Sequence, residues 1–309
     1  SHKYTMSCFS SSWEEARDKF LDAARRAGAE TCVLEYSNTV EGDDDDDDEV
    51  RKRWGDDDDD DEGSDGATAA GTNTPREKKP KKEVIDVAMV GSPRATRLVL
   101  VSSGVHGVEG FAGSAIQTAC LRRLSEEAQK KSFPLTEARV VFVHGINAHG
   151  MRHSRRWTAR NVDLNRNYLD IFPPTIPTEP LYAKVAPFLN PTSGPESAIA
   201  FYVRAVSLIF RHGFTPLKAA IAGGQSSFPD GLFYAGNETE PPLRAVDAFL
   251  RNSGIVFGEE ESGQVGSSSA SSSSSQLERA VHVDIHTGLG PRGRDTLIVQ
   301  SDADAPEEA

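Results

Sequence analysis

The sequence predicts an α/β protein built on a mostly parallel mixed sheet, and three observations carry that prediction. Short apolar runs at 98–101 and 139–143 flank a stretch of helical spacing at 113–123, and strand, helix, strand is the pattern of a parallel sheet. Two strand candidates, 98–101 and 280–285, each lead into a glycine turn that carries a histidine, His106 and His286. In open α/β sheets the working groups lie beyond the carboxyl ends of strands, where these histidines fall. Finally, a hydrophobic fraction of 37% over 309 residues is enough for one substantial core, and we read 1–309 as a single domain.

The elements follow in chain order. Residues 12–28 read as an amphipathic helix, with Trp13, Ala16, Phe20, Leu21 and Ala24 on one face and Gly28 as its stop. A strand at 31–36 follows. Periodicity then disappears over 41–83, an acidic tract followed by small residues and a basic patch. Self-repelling charge with little apolar content does not fold alone, so this is expected to be a solvated insertion between two pieces of one sheet. A strand at 84–90 and a Gly-Ser-Pro turn lead to the strand at 98. After 139–143 comes an arginine-dense loop over 147–167, then a proline-rich connection over 172–195. A helix is expected at 196–210, a weak strand at 218–221, a pocket-lining glycine-rich loop from Gly223 to Pro242, and a helix at 243–252. The serine-rich run at 258–276 reads as a second disordered insertion before the strand at 280–285.

The formal net charge of -13 is local. Between Glu41 and Asp65 sixteen carboxylates face three basic side chains, which accounts for all of it, so the acidity carries no information about a substrate. Cys8, Cys32 and Cys120 are odd in number and lack a CxxC spacing, which suggests neither a disulfide framework nor a cysteine-bound metal. No run approaches the ~18 apolar residues of a membrane helix and no signal sequence opens the chain. A cytoplasmic location with neither membrane nor nucleic acid as partner is the expectation. The sequon at Asn237 is discounted on the same grounds.

The chemistry gathers at the glycine turns. His106 and Glu109 stand three residues apart in HGVEG, where flanking glycines let the backbone bend around one ion, and they form half of a candidate zinc site. His286 supplies a third ligand from the end of 280–285, and Asp284, on the same strand face, can orient it. Two imidazoles, one carboxylate and an open position make the composition of a hydrolytic zinc site holding one Zn2+. In the arginine loop, Arg155 or Arg156 together with Asn165 and Arg166 can hold a carboxylate and present the adjacent amide to the metal.

These motifs, HGVEG, NVDLNRN and DIHTG, resemble the zinc carboxypeptidase superfamily. The fuller wording, SSGVHGVEGFAGSAIQ with HTGLGPRG and GGQSSFPDGLFYAGNETEP, is similar to its carboxypeptidase-related branch catalogued as a domain of unknown function, with succinylglutamate desuccinylase and aspartoacylase more distant. The resemblance implies a three-layer, zinc-dependent exopeptidase-like fold with helices on both sheet faces. It also implies zinc on His106, Glu109 and His286, a carboxylate held by Asn165 and Arg166, and a catalytic arginine at Arg155 or Arg156. The implied activity is cleavage of an amide next to a free carboxylate in a small peptide. Deacylation of an N-acyl amino acid is the alternative. Such hydrolases also use a glutamate well downstream as general base. After His286 the only glutamates are Glu307 and Glu308, in an acidic tail, so the sequence reads as C-terminally incomplete or, alternatively, as a catalytically inactive zinc-fold binding protein.

Overall fold

The computed structural model describes residues 7–37, 83–130, 138–167, 179–192, 197–253 and 277–288. Both expected insertions, apart from Glu83, lie outside these residues, as does the tail beyond Gly288. The chain is α/β, and its described residues form seven helices around a five-stranded mixed sheet. In order the elements are α1 (Trp13–Arg26), β1 (Glu30–Tyr36), β2 (Glu83–Gly91), β3 (Arg97–Ser103), α2 (Gly110–Gln129), β4 (Ala138–His144) and α3 (Ala148–Arg152). They continue with α4 (Pro180–Leu189), α5 (Ala198–His212), α6 (Phe214–Ala222), α7 (Pro241–Asn252) and β5 (Arg279–Ile285). Two short 3-10 turns, Gly107–Glu109 and Leu164–Arg166, matter for the site.

The strands lie side by side as β1-β2-β4-β3-β5. The β4, β3 and β5 pairings are parallel, whereas β1-β2 and β2-β4 are antiparallel, so the parallel part is the half that carries the site. The strands expected on either side of the acidic insertion as pieces of one sheet are neighbours in the antiparallel half. Tyr36 pairs with Glu83 across β1 and β2, so Glu83 belongs to the strand rather than to the insertion.

Period-two alternation divides the core between the two sheet faces. On one face Phe20, Ala23 and Ala24 of α1 and Leu121 of α2 meet Ala88 and Phe142. On the other, Ile85, Val87, Leu100, Val141 and Val143 meet Ala148 and Met151 of α3, Leu164, and Leu243 and Val246 of α7. Helices therefore cover both faces. α1 begins where Ser12 accepts a hydrogen bond from the Glu15 amide and ends with Arg25 and Arg26 in its last turn, so its capping residues and charges agree with the helix dipole.

Two regions differ from the sequence expectation. Residues 218–221, expected as a weak strand, lie inside helix α6. Four residues, Lys218 to Ile221, are too few to distinguish strand from helix, and Gly213, at φ +80, sets a bend from which the helix continues through the alanines. Within the proline-rich connection 180–189 is helical: Pro180 occupies the first turn, where its missing N–H is no loss, while Pro187, inside the helix near its end, removes one i→i−4 hydrogen bond.

Candidate metal centre

β3 delivers the chain to the centre. Gly104 turns it at φ +74, and a Cβ there would stand 3.0 Å from the Gly145 Cα at the end of β4, so the close approach of the two strand ends favours glycine at 104. His106 then precedes the 3-10 turn, and Glu109 is the residue from which α2 starts. The turn is held from behind, since the Gly107 and Val108 amides donate to the Arg156 and Arg155 carbonyls at 3.2 and 2.9 Å. Because β5 runs parallel to β3 with Ser103 opposite Ile285, the next residue, His286, emerges beside the same turn.

The three side chains converge. His106 Nδ1 lies 2.9 Å from Glu109 Oε1, and His286 Nδ1 lies 3.2 Å from both His106 Nδ1 and Glu109 Oε2. One ligand atom from each falls within 4.8 Å of the others, so His106, Glu109 and His286 form a group able to hold a metal ion. The opposite ring nitrogens face carboxylates. His106 Nε2 is 3.3 Å from Asp163 Oδ1, and His286 Nε2 is 2.6 Å from Asp284 Oδ2. A carboxylate that accepts the outer N–H leaves the inner Nδ1 with a lone pair toward the centre, as a metal-ligating imidazole requires. Asp284 is itself held by the Ser102 hydroxyl, which donates to Oδ1 at 2.6 Å.

The carboxylates around His286 favour its protonated form, and a metal ion at the centre would displace the proton from the inner nitrogen. The Asp284 hydrogen bond, then that of Glu109, raises the His286 pKa to about 9 against the cost of burial. Burial pushes Glu109 upward, but His106, His286 and the Thr287 amide, which donates at 2.7 Å, together hold it well below the carboxylate range. Asp163 is fully buried, yet His106, Arg166 and Arg156 likewise keep it below its usual value.

Of the two arginines left open by the sequence, Arg156 reaches the centre. Its Nε donates to Asp163 Oδ2 at 3.1 Å and its Nη1 lies 3.5 Å from Glu109 Oε1. Arg155 holds the turn through its backbone, its amide donating to the Gly150 carbonyl. Arg166 joins Arg156 on Asp163 Oδ2, at 2.8 Å, and is fastened at its other end to the Ala222 carbonyl at the end of α6. Asn165 is exposed beside it, its amide donating to Asp163 Oδ1. The structure thus brings His106, Glu109, His286, Arg156 and Arg166 together around Asp163.

Asp163 is the residue of the centre that sequence reasoning undervalues. It is visible there only as the single carboxylate in an arginine-dense loop, and that isolation is the signal. Asn167 acts elsewhere in the same loop. Fully buried, it donates to the Ala235 and Glu238 carbonyls and accepts from the Glu240 amide, tying the loop to the glycine-rich segment. Phe233 of the glycine-rich loop, whose ring lies beside the Arg156 and Arg166 guanidiniums, has no sequence signal. No curated protein matches this sequence. The model of the family described as "Protein of unknown function (DUF2817)" matches residues 65–309, most of the chain, and the protein belongs to that family.

Proposed function

We propose that the protein is a zinc-dependent hydrolase of the metallocarboxypeptidase type, acting on an amide bond next to a free carboxylate. The observation that carries this reading is the orientation of the two imidazoles: Nδ1 of each toward Glu109, Nε2 of each on a carboxylate. Two nitrogens and one oxygen suit zinc better than an all-oxygen ion, and three protein ligands leave a position for substrate. When bound, zinc would supply Lewis-acid polarisation of the amide carbonyl and a nucleophile at neutral pH.

The chain's own residues do the rest. Asp163 and Asp284 hold the proton on the outer nitrogen of each imidazole. Arg156 and Arg166, with Asn165 exposed beside them, offer N–H donors to a substrate carboxylate, which would fix the scissile amide beside His106 and Glu109. Among the described residues every carboxylate at the centre already holds an imidazole or guanidinium, so none of these serves as general base. That observation favours one second reading, a zinc-holding binding module that recognises the carboxylate without hydrolysing it.

The test combines metal analysis with a substrate screen. Purified protein is expected to hold close to one zinc per chain, and His106→Ala or His286→Ala to lose it. Peptides with a free C-terminus and N-acyl amino acids are then compared with their C-terminal amides. Hydrolysis confined to the free acids supports the enzyme, and binding without turnover supports the module. Absence of stoichiometric zinc overturns both.

A further inference from the structure

We propose that Phe233 is the positioning residue of the carboxylate subsite, its ring holding the Arg156 and Arg166 guanidinium groups in place while leaving their charge available to an anion. The inference rests on the reading of those two arginines as the carboxylate-binding pair. The guanidinium carbons of Arg166 and Arg156 lie 4.6 and 5.4 Å from the centroid of the Phe233 ring. Both guanidiniums also bond one oxygen, Asp163 Oδ2. Asp163 is divided between two guanidiniums and the His106 imidazole, and Glu109, 3.5 Å from Arg156 Nη1, also serves two imidazoles, so the pair keeps a surplus positive charge that would drive the arginines apart. A further carboxylate would relieve the repulsion but consume the N–H donors and the charge that a substrate needs. An aromatic face attracts the cations through its quadrupole and takes no hydrogen bond.

The backbone shows that the ring is held there against resistance. Phe233 has φ +57, the left-handed region that a bulky side chain adopts only at a cost and that glycine adopts freely. The surrounding segment enforces it. The Gln225 amide donates to the Phe233 carbonyl at 3.1 Å, the Asp163 amide to the Tyr234 carbonyl at 2.8 Å, and the Tyr182 hydroxyl to the Leu232 carbonyl at 2.8 Å. Gln225 is fully buried and clasps Phe228 in both directions, its side-chain amide donating to the Phe228 carbonyl and its side-chain oxygen accepting from the Phe228 amide, both at 2.7 Å. On the other side of Arg166, Gly224 leaves space for the arginine stem, since a Cβ there would stand 2.7 Å from Arg166 Cδ. Arg166 is therefore confined by Asp163, the Ala222 carbonyl, Gly224 and the ring. Strain at a residue whose ring contacts the two subsite cations points to a role in the site rather than in the core.

The test uses the full chain with its zinc content measured, and N-acetyl-L-alanine as probe with N-acetyl-L-alaninamide as the uncharged control. Phe233→Leu keeps apolar bulk without the ring, Phe233→Tyr keeps the ring, and Phe233→Gly removes both ring and strain. Affinity for the free acid should fall about tenfold in the Leu and Gly variants and stay within about threefold of wild type in the Tyr variant. Zinc content should be equal in all, and the Gly variant should melt at or above the wild-type temperature, which a merely structural role would not produce. Near-wild-type affinity in Phe233→Leu, or a loss in Phe233→Tyr equal to that in Leu, overturns the inference and leaves the hydrolase reading standing. If zinc-loaded wild-type protein binds acid and amide alike, the carboxylate reading itself falls, and the role of Phe233 with it.

Discussion

Asp163 joins a ligating histidine to both arginines of the centre. One carboxylate faces the His106 imidazole with one oxygen and both guanidiniums with the other. Asp163→Asn would retain the shape but lose the charge and one acceptor. Zinc affinity is expected to fall about 10- to 100-fold, as for other carboxylates behind a ligating histidine, and competition with a chelator would measure it. His144 leads to a prediction of another kind. It is fully buried, stacked on Phe20 at 4.3 Å with Nε2 at 2.8 Å from the Ser114 hydroxyl, and burial, then the charge of Arg17, lowers its pKa to about 3. The unfolded chain, with an ordinary imidazole near ~6.5, binds a proton between about pH 6.5 and 3 that the folded chain refuses. Stability should therefore fall as pH drops through that window, by ~2 kcal/mol between pH 6.5 and 5 from this group alone. In denaturant titrations at the two pH values, His144→Gln should lose that part of the difference.

At the scale of elements, the metal turn and α3 are one unit. A Cβ on Gly107 would lie 2.1 Å from the Gly150 carbonyl carbon and 2.5 Å from the Met151 nitrogen, backbone atoms of α3 that cannot move aside singly. Separating the two would break the hydrogen bonds from the turn to the Arg155 and Arg156 carbonyls and shift Arg156 itself. Gly107→Ala is thus expected to destabilise by at least ~2 kcal/mol, with thermal unfolding as the measurement, and to lose metal in parallel. Parallel pairing of β3 and β5 has a comparable effect on function: it sets the height at which His286 meets His106, so a slip in that register would separate the ligands.

The whole molecule carries its acidity in a segment that joins two paired strand ends. Tyr36 and Glu83 are already opposite each other in the sheet, so residues 37–82 can be replaced by a short hairpin turn without moving β1 or β2. Zinc content should be unchanged in such a deletion. Shortening the connection through about three halvings, at ~0.6 kcal/mol each, should stabilise the fold by up to ~2 kcal/mol, read as an increased denaturant midpoint. Among the described residues no helix is long and apolar enough to cross a membrane, and the three cysteines are unbridged.

Local patterning alone specifies the β3, α2, β4 core and its buried strands, because alternation and helical spacing are signals that adjacent residues supply. It also specifies the ligand candidates, since His106 and Glu109 share one turn and the histidine of DIHTG repeats the same position after a strand. Those signals fail at 218–221, where a run too short to show a period is helix, but they hold at β1 and β2, which pair as the two pieces of one sheet expected on either side of the insertion. Three-dimensional packing was needed to choose between Arg155 and Arg156, to give Asp163 its place behind His106, and to set Phe233 beneath two cations. Each of those depends on segments far apart in the chain meeting beyond the same strand ends. Spacing within one segment specifies which groups are present, and packing between segments specifies which of them face each other.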